Sequence, residues 1–199
     1  VLRTTVGEAK GRISYNYYAD RLFDPRCGVI QAIADSGARK GKTIVTLVNY
    51  AVHPEVIGPD RGITSPDLCG PLYDRIEEKA GGLAIFMNGA QGGMVTADNR
   101  LPDGKEANDW AECQRIGVTL ADEALRLVHD APVQRDPSLT CHSDRLVLPV
   151  ESPIMKYILK NSPLALPILR GDSIATRVNL LNIGRAQVLT IPGEALPNI

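Results

Sequence analysis

Along this chain, short apolar runs of strand type alternate with stripes at helical spacing. The run Thr43-Ile-Val-Thr-Leu-Val-Asn-Tyr-Ala-Val52 is nearly continuous in β-branched and apolar residues, which predicts a buried strand ending at His53-Pro54. Leu83-Ala-Ile-Phe-Met87 predicts a second strand, buried on both faces, and Gly28-Val-Ile-Gln-Ala-Ile33 a third. Between His53 and Leu83, Ser65 is a good N-cap with Pro66 at the first helical position. Leu68, Leu72 and Ile76 then share one face until Gly81-Gly82 stops the helix. A longer helix is predicted over 106–128, where Trp110, Cys113, Gly117, Leu120, Ala124 and Val128 recur near the helical period.

The first forty residues are polar and turn-rich up to Gly28 and read as an irregular lead-in. Asp35 to Lys42 has the glycine and charge content of a hairpin loop, pairing the strands on either side antiparallel. Leu146 to Val150, Val178 to Asn182 and Ala186 to Ile191 read as strands, the last two joined by a tight turn at Ile183-Gly-Arg-Ala-Gln187. Over 151–165, Ile154 to Leu159 fits a short helix confined by Pro153 and Pro163, and fits equally an excursion over an active-site mouth. The expected fold is α/β: a mixed sheet flanked by helices, in a single domain spanning 1–199.

With 199 residues, 44% of them apolar, the chain is long enough to bury a core. The net charge of -1 and the scattered distribution of 22 basic residues give no footprint for nucleic acid or an acidic membrane surface. No apolar run approaches the ~20 residues that span a bilayer, so the chain is not expected to be transmembrane. It begins Val1-Leu-Arg-Thr-Thr, without a signal-peptide pattern, and its compartment is not readable there. Cys27, Cys69, Cys113 and Cys141 lie far apart with no C-x-x-C pair, against a zinc ribbon or thioredoxin motif. Cys113, within a helical stripe, reads as a small buried hydrophobe, and one or two disulfides are compatible with an exported protein.

Candidate chemistry collects just past the predicted strands. His53 precedes proline, which holds its backbone extended; there an imidazole can ligate a metal, act as a base, or serve a loop as a structural hydrogen-bonding group. Asn88-Gly-Ala-Gln-Gly-Gly-Met-Val-Thr96 can bring backbone N–H groups close to an anion or oxyanion, or simply form a tight turn, and its spacing is neither the Walker nor the dinucleotide pattern. Glu194 follows Pro192-Gly193 beyond an apolar strand, where a carboxylate can join an imidazole on zinc and leave a position open for water, or be a solvated loop residue. Asp67 in a first helical turn is accounted for by the helix dipole, as is His129 at a helix C-terminus, and His142 carries no marker.

The order Asn49-Tyr-Ala-Val-His-Pro54, Ile63-Thr-Ser-Pro-Asp-Leu-Cys-Gly70, Phe86-Met-Asn-Gly-Ala-Gln-Gly-Gly-Met-Val-Thr-Ala-Asp98 and Ile191-Pro-Gly-Glu194 resembles the catalytic domain of the neutral ceramidases and their bacterial relatives. In that family zinc is held by two histidines, a glutamate and a tyrosine, and the N-acyl bond of ceramide is cleaved. The resemblance places His53 at the second histidine and Glu194 at the glutamate. The first histidine would precede Val1 and the tyrosine would follow Ile199. The chain is therefore expected to be a fragment of a larger catalytic domain, its metal site completed by the remainder of a longer polypeptide or by a partner chain.

The glycine loop departs from the family's Gly-Asp-Val-Ser-Pro: here it reads Gly93-Met-Val-Thr-Ala97, with Thr96 in the serine slot and Met94 replacing an acidic residue. Nothing nearby in sequence supplies a base for the Thr96 hydroxyl. Thr96 and Gly93 are accordingly expected beside zinc-water chemistry as positioning or oxyanion-side groups, with Asn88, Gly92 and Asp67 on the substrate side. The resemblance implies a zinc-dependent hydrolase of the amide bond in a ceramide-like or other amphiphilic substrate, secreted or periplasmic. The alternative is a catalytically silent binding domain that keeps the fold.

Overall fold

In a computed structural model of the chain, residues 1–19, 21–59, 62–163, 169–170 and 172–198 are described. They form a mixed α/β structure that divides into two compact units, Val1–Pro137 with Glu194–Ile199, and Ser138–Gly193.

The first unit is built on a five-stranded sheet in the order β5-β4-β3-β1-β7. Its strands are β1 (Leu2–Glu8), β3 (Arg26–Ile33), β4 (Thr43–Tyr50), β5 (Leu83–Asn88) and β7 (Val133–Gln134); the short β2 (Ser14–Asn16) and β6 (Val95–Ala97) form a separate ribbon. As expected, β3 and β4 pair as an antiparallel hairpin, whereas β4 and β5 run parallel across the helix α1 (Cys69–Ala80). Alternation along β3 and β4 buries Cys27, Val29 and Gln31 with Thr46, Val48 and Tyr50 on one face. The polar members of that face are satisfied: Gln31 Nε2 donates to Thr46 Oγ1 at 3.1 Å, and Ser14 Oγ donates to Tyr50 Oη at 3.2 Å. Burial pushes the Tyr50 phenol up to about 12.

The core over this face is completed by α1, through Leu72 and Ile76, and by α2 (Trp110–His129), through Cys113, Ile116, Leu120, Ala121, Ala124 and Val128. Asp109 caps α2, its side chain accepting from Glu112 N–H at 2.9 Å. The two helices meet at Gly117, where even a methyl group would lie 2.4 Å from the Leu68 carbonyl oxygen. No helix among the described residues is long and apolar enough to cross a membrane.

The structure corrects several expectations in this unit. The lead-in is not irregular: β1 pairs with β3 from Leu2↔Ala32 to Glu8↔Arg26, a long-range partnership that its half-exposed, polar residues do not signal. β5 is an edge strand with Leu83 and Ile85 exposed, not one covered on both faces. Helix α1 starts at Cys69 rather than Pro66, because Asp67 takes φ 52, outside helical space, and Ser65 Oγ accepts the Asp67 N–H instead of capping the helix. Trp110, expected in the buried stripe of α2, is half-exposed at its first turn. All four cysteines are free thiols, three of them buried, so no disulfide forms.

The second unit is a sheet of β8 (Leu139–Pro149), β10 (Ser173–Ile183) and β11 (Ala186–Thr190), with β9 (Leu169–Arg170) beside β10. Gly184-Arg185 form the expected tight turn, and β8 begins seven residues before the predicted Leu146 because its pairing to β10 runs back to Leu139↔Ile183. Residues 153–161 are a helix, α3 (Pro153–Asn161), capped by Ser152, whose Oγ accepts the Met155 N–H at 3.3 Å. Of the two readings of 151–165, the short helix is the one that forms; residues 164 and 165 lie outside the described residues.

Candidate functional site

His53 leaves β4 by two residues of extended chain and pairs in parallel register with Thr96 of β6. Its N–H donates to Val95 O at 3.1 Å, and its ring Nδ1 lies 2.7 Å from the same oxygen. A carbonyl oxygen only accepts, so Nδ1 carries the proton and, in the neutral ring, Nε2 presents a lone pair. That lone pair faces Glu194, whose Oε1 is in direct contact with Nε2. Two such acceptors repel unless they share a cation, either a proton that makes an imidazolium–carboxylate pair or, with the two atoms moved apart, a metal ion bound to both.

Glu194 is brought there by the glycine loop. Gly92 N–H donates to Ala195 O at 2.7 Å, and a Cβ on Gly92 would lie 2.7 Å from that oxygen and 2.8 Å from the Glu194 carbonyl oxygen. Only a residue without a side chain lets the loop and the Glu194-Ala195 backbone come this close. Gly92 therefore packs the site together, and its N–H is not free to bind substrate as the sequence reading has it. Gly93 and Met94 both take positive φ, 76 and 69, which turns the loop into β6.

Thr96 follows directly. Its hydroxyl donates to Glu55 Oε1 at 2.6 Å. Glu55 was missed by sequence reasoning: two positions beyond His53, it sits in an exposed turn with no periodicity or motif to mark it. Across the β2–β6 ribbon Thr96 pairs with Tyr15, whose ring lies 3.8 Å beneath the Arg100 guanidinium. An open pocket of about 530 Å³ is lined there by Tyr15, Tyr17, Arg100, Lys105 and Glu106.

The remaining expected residues have other duties. Asn88 Nδ2 donates to Val52 O at 3.3 Å and to Gln91 Oε1, bracing the start of the glycine loop. Asp67 is buried, its Oδ2 accepting Ile57 N–H at 2.9 Å and its Oδ1 accepting Leu68 N–H at 2.7 Å. It ties α1 to the turn after His53 rather than offering a carboxylate to substrate. His129 stands exposed at the end of α2 beside Asp130, and His142 lies on an exposed stretch of β8.

A neutral imidazole nitrogen whose partner nitrogen is held by a carbonyl, together with a carboxylate, is a donor pair that zinc accepts. It makes two of the three or four protein ligands such a centre uses. Among the described residues no group of three or more His, Cys, Asp or Glu side chains is close enough to hold a metal ion.

No family model matches the sequence, and no curated protein matches it. Solved structures do. The neutral ceramidase from Pseudomonas aeruginosa matches with a TM-score of 0.70 at 15% identity, over 97% of this chain and 40% of that one. A ceramidase complexed with C2 matches with a TM-score of 0.69 at 14% identity, over 97% of this chain and 41% of that one. The chain thus spans about two fifths of the structures it resembles, and at this identity the likeness is one of fold, a ceramidase-like α/β architecture.

Proposed function

We propose that this chain carries part of the metal centre of a zinc-dependent hydrolase, which cleaves the N-acyl amide bond of a ceramide-like or other amphiphilic substrate. The observation that carries the reading is the His53 ring, which is held through Nδ1 by Val95 so that Nε2 turns its lone pair toward Glu194. Zinc, when bound, supplies Lewis acidity and lowers the pKa of a coordinated water to about 7. His53 and Glu194 would hold it, Val95 O would fix the imidazole tautomer, and Gly92 would keep Glu194 in reach. With two protein ligands from this chain, the remaining ligands would come from other polypeptide. The fold likeness to neutral ceramidases supports the hydrolase class.

The test is zinc titration of the chain by calorimetry, with His53→Ala and Glu194→Gln alongside, and amide hydrolysis measured once the missing ligands are supplied. Weak one-to-one binding is expected, lost in both variants; binding unchanged in both would reject the centre. A second reading is a catalytically silent binding domain of the same fold. No hydrolysis from a polypeptide with its ligand set complete would favour it.

A further inference from the structure

Thr96 has one hydroxyl proton, and in this fold it is directed at Glu55 Oε1, 2.6 Å away. A carboxylate accepts and does not donate, so the hydroxyl oxygen is left with lone pairs alone for any ligand. The sequence places Thr96 as a positioning or oxyanion-side group, and with its proton committed to Glu55 the hydroxyl does not serve as an oxyanion donor. His53 and Thr96 are backbone neighbours in a parallel bridge, and the His53 imidazole is the ring that faces Glu194. We propose that the Glu55–Thr96 pair is a specificity device, which makes Thr96 a hydrogen-bond acceptor that reads the N–H of a secondary amide and discriminates against the corresponding ester.

The inference rests on the hydrolase reading for its substrate class, but its physics is independent of a metal. A secondary amide offers a carbonyl oxygen to a cation and an N–H to an acceptor. An ester offers the first alone, and its alkoxy oxygen set against a Thr96 lone pair is a repulsive contact. Thr96 is half-buried and Glu55 exposed, so the site remains partly hydrated. The discrimination is that of one ordinary hydrogen bond, about 5- to 10-fold in affinity, far from the roughly 10⁴-fold of a fully enclosed polar site.

Binding in zinc-free buffer separates this proposal from the metal centre. N-propylhexanamide and propyl hexanoate, which differ by N–H against O, are titrated into the chain and followed by NMR at the backbone amides of Val95 and Ala97, which every variant retains. The amide is expected to bind about 5- to 10-fold more tightly. Thr96→Val, which keeps the β-branched shape, should bring the ratio to about 1, and Thr96→Ser should restore it. Glu55→Gln retains an accepting side-chain oxygen and should keep most of the preference. Glu55→Ala frees the hydroxyl proton to donate to either ligand's carbonyl and should erase it. Equal affinities in the unaltered chain, a preference that survives Thr96→Val, or no binding of either ligand would overturn the proposal. Loss of zinc binding or hydrolysis with the preference intact would count against the hydrolase reading alone.

Discussion

Replacing Gly117 by alanine sets two effects of opposite sign against each other. In an isolated helix the change gains about 1 kcal/mol, because glycine loses more backbone entropy than alanine. In this fold the added Cβ would lie 2.4 Å from Leu68 O, 2.9 Å from Pro71 Cγ and 3.1 Å from Leu72 N. Two of those obstacles are backbone, so no side chain can swing aside, and α1 must retreat by about 1 Å to reach ordinary contact. Overpacking of this kind costs about 1–3 kcal/mol, and the rigid obstacle puts Gly117→Ala toward the upper end. The net expectation is a loss of about 1–2 kcal/mol, which lowers the melting temperature by roughly 2–8 °C for a domain of this size. The displacement should also reach the site. Leu68 N–H is bonded to Asp67, which holds Ile57 and with it the turn carrying Glu55, so the Ile57 amide resonance should shift. Thermal and urea denaturation of Gly117→Ala beside Gly70→Ala, whose Cβ meets only Pro66 Cγ at 3.1 Å, provides the assay. A Gly117→Ala protein as stable as the parent, or more so, would refute the close-packing argument.

Burial pushes the Cys27 and Cys113 thiols up to about 12 and Cys69 to about 11, while Cys141 is exposed; a disulfide-exchange reagent at mildly alkaline pH should therefore titrate one thiol quickly and all four only after denaturation. A second fast thiol in the folded protein would contradict the core assignment. Hydrogen bonds from Arg126 hold the Glu123 carboxyl below the ordinary carboxylate range, so its stabilisation is complete above that range and disappears as pH falls through the lowered value. Glu123→Gln should accordingly lose about 0.5–1 kcal/mol at neutral pH and converge with the parent in acid, as followed by urea midpoints across pH. A difference that stays constant with pH would assign the loss to packing instead.

Local signals carried the elements whose partners lie close along the chain. The β3–β4 hairpin, the strand-helix-strand order through α1 and the stripe of α2 follow from alternation, helical period and the glycines that end them, because each of these acts within a few residues. His53 and Glu194 were legible as candidates because each stands just past an apolar strand. Their convergence was expected from the family resemblance and from no local period, since 141 residues separate them and it depends on Gly92 admitting the Ala195 carbonyl. β1 escaped for the same reason: its strand character comes from β3, not from its own half-exposed residues. Glu55 and the direction of the Thr96 proton lay further from reach, because which acceptor a hydroxyl serves is set by what the fold brings within 3 Å or so. Sequence by itself determined the residue types and the strand ends where chemistry can stand. Tertiary structure decided which of them meet, because contacts between distant segments depend on close backbone approach and on the path of the turns between them, and neither is written in any local period.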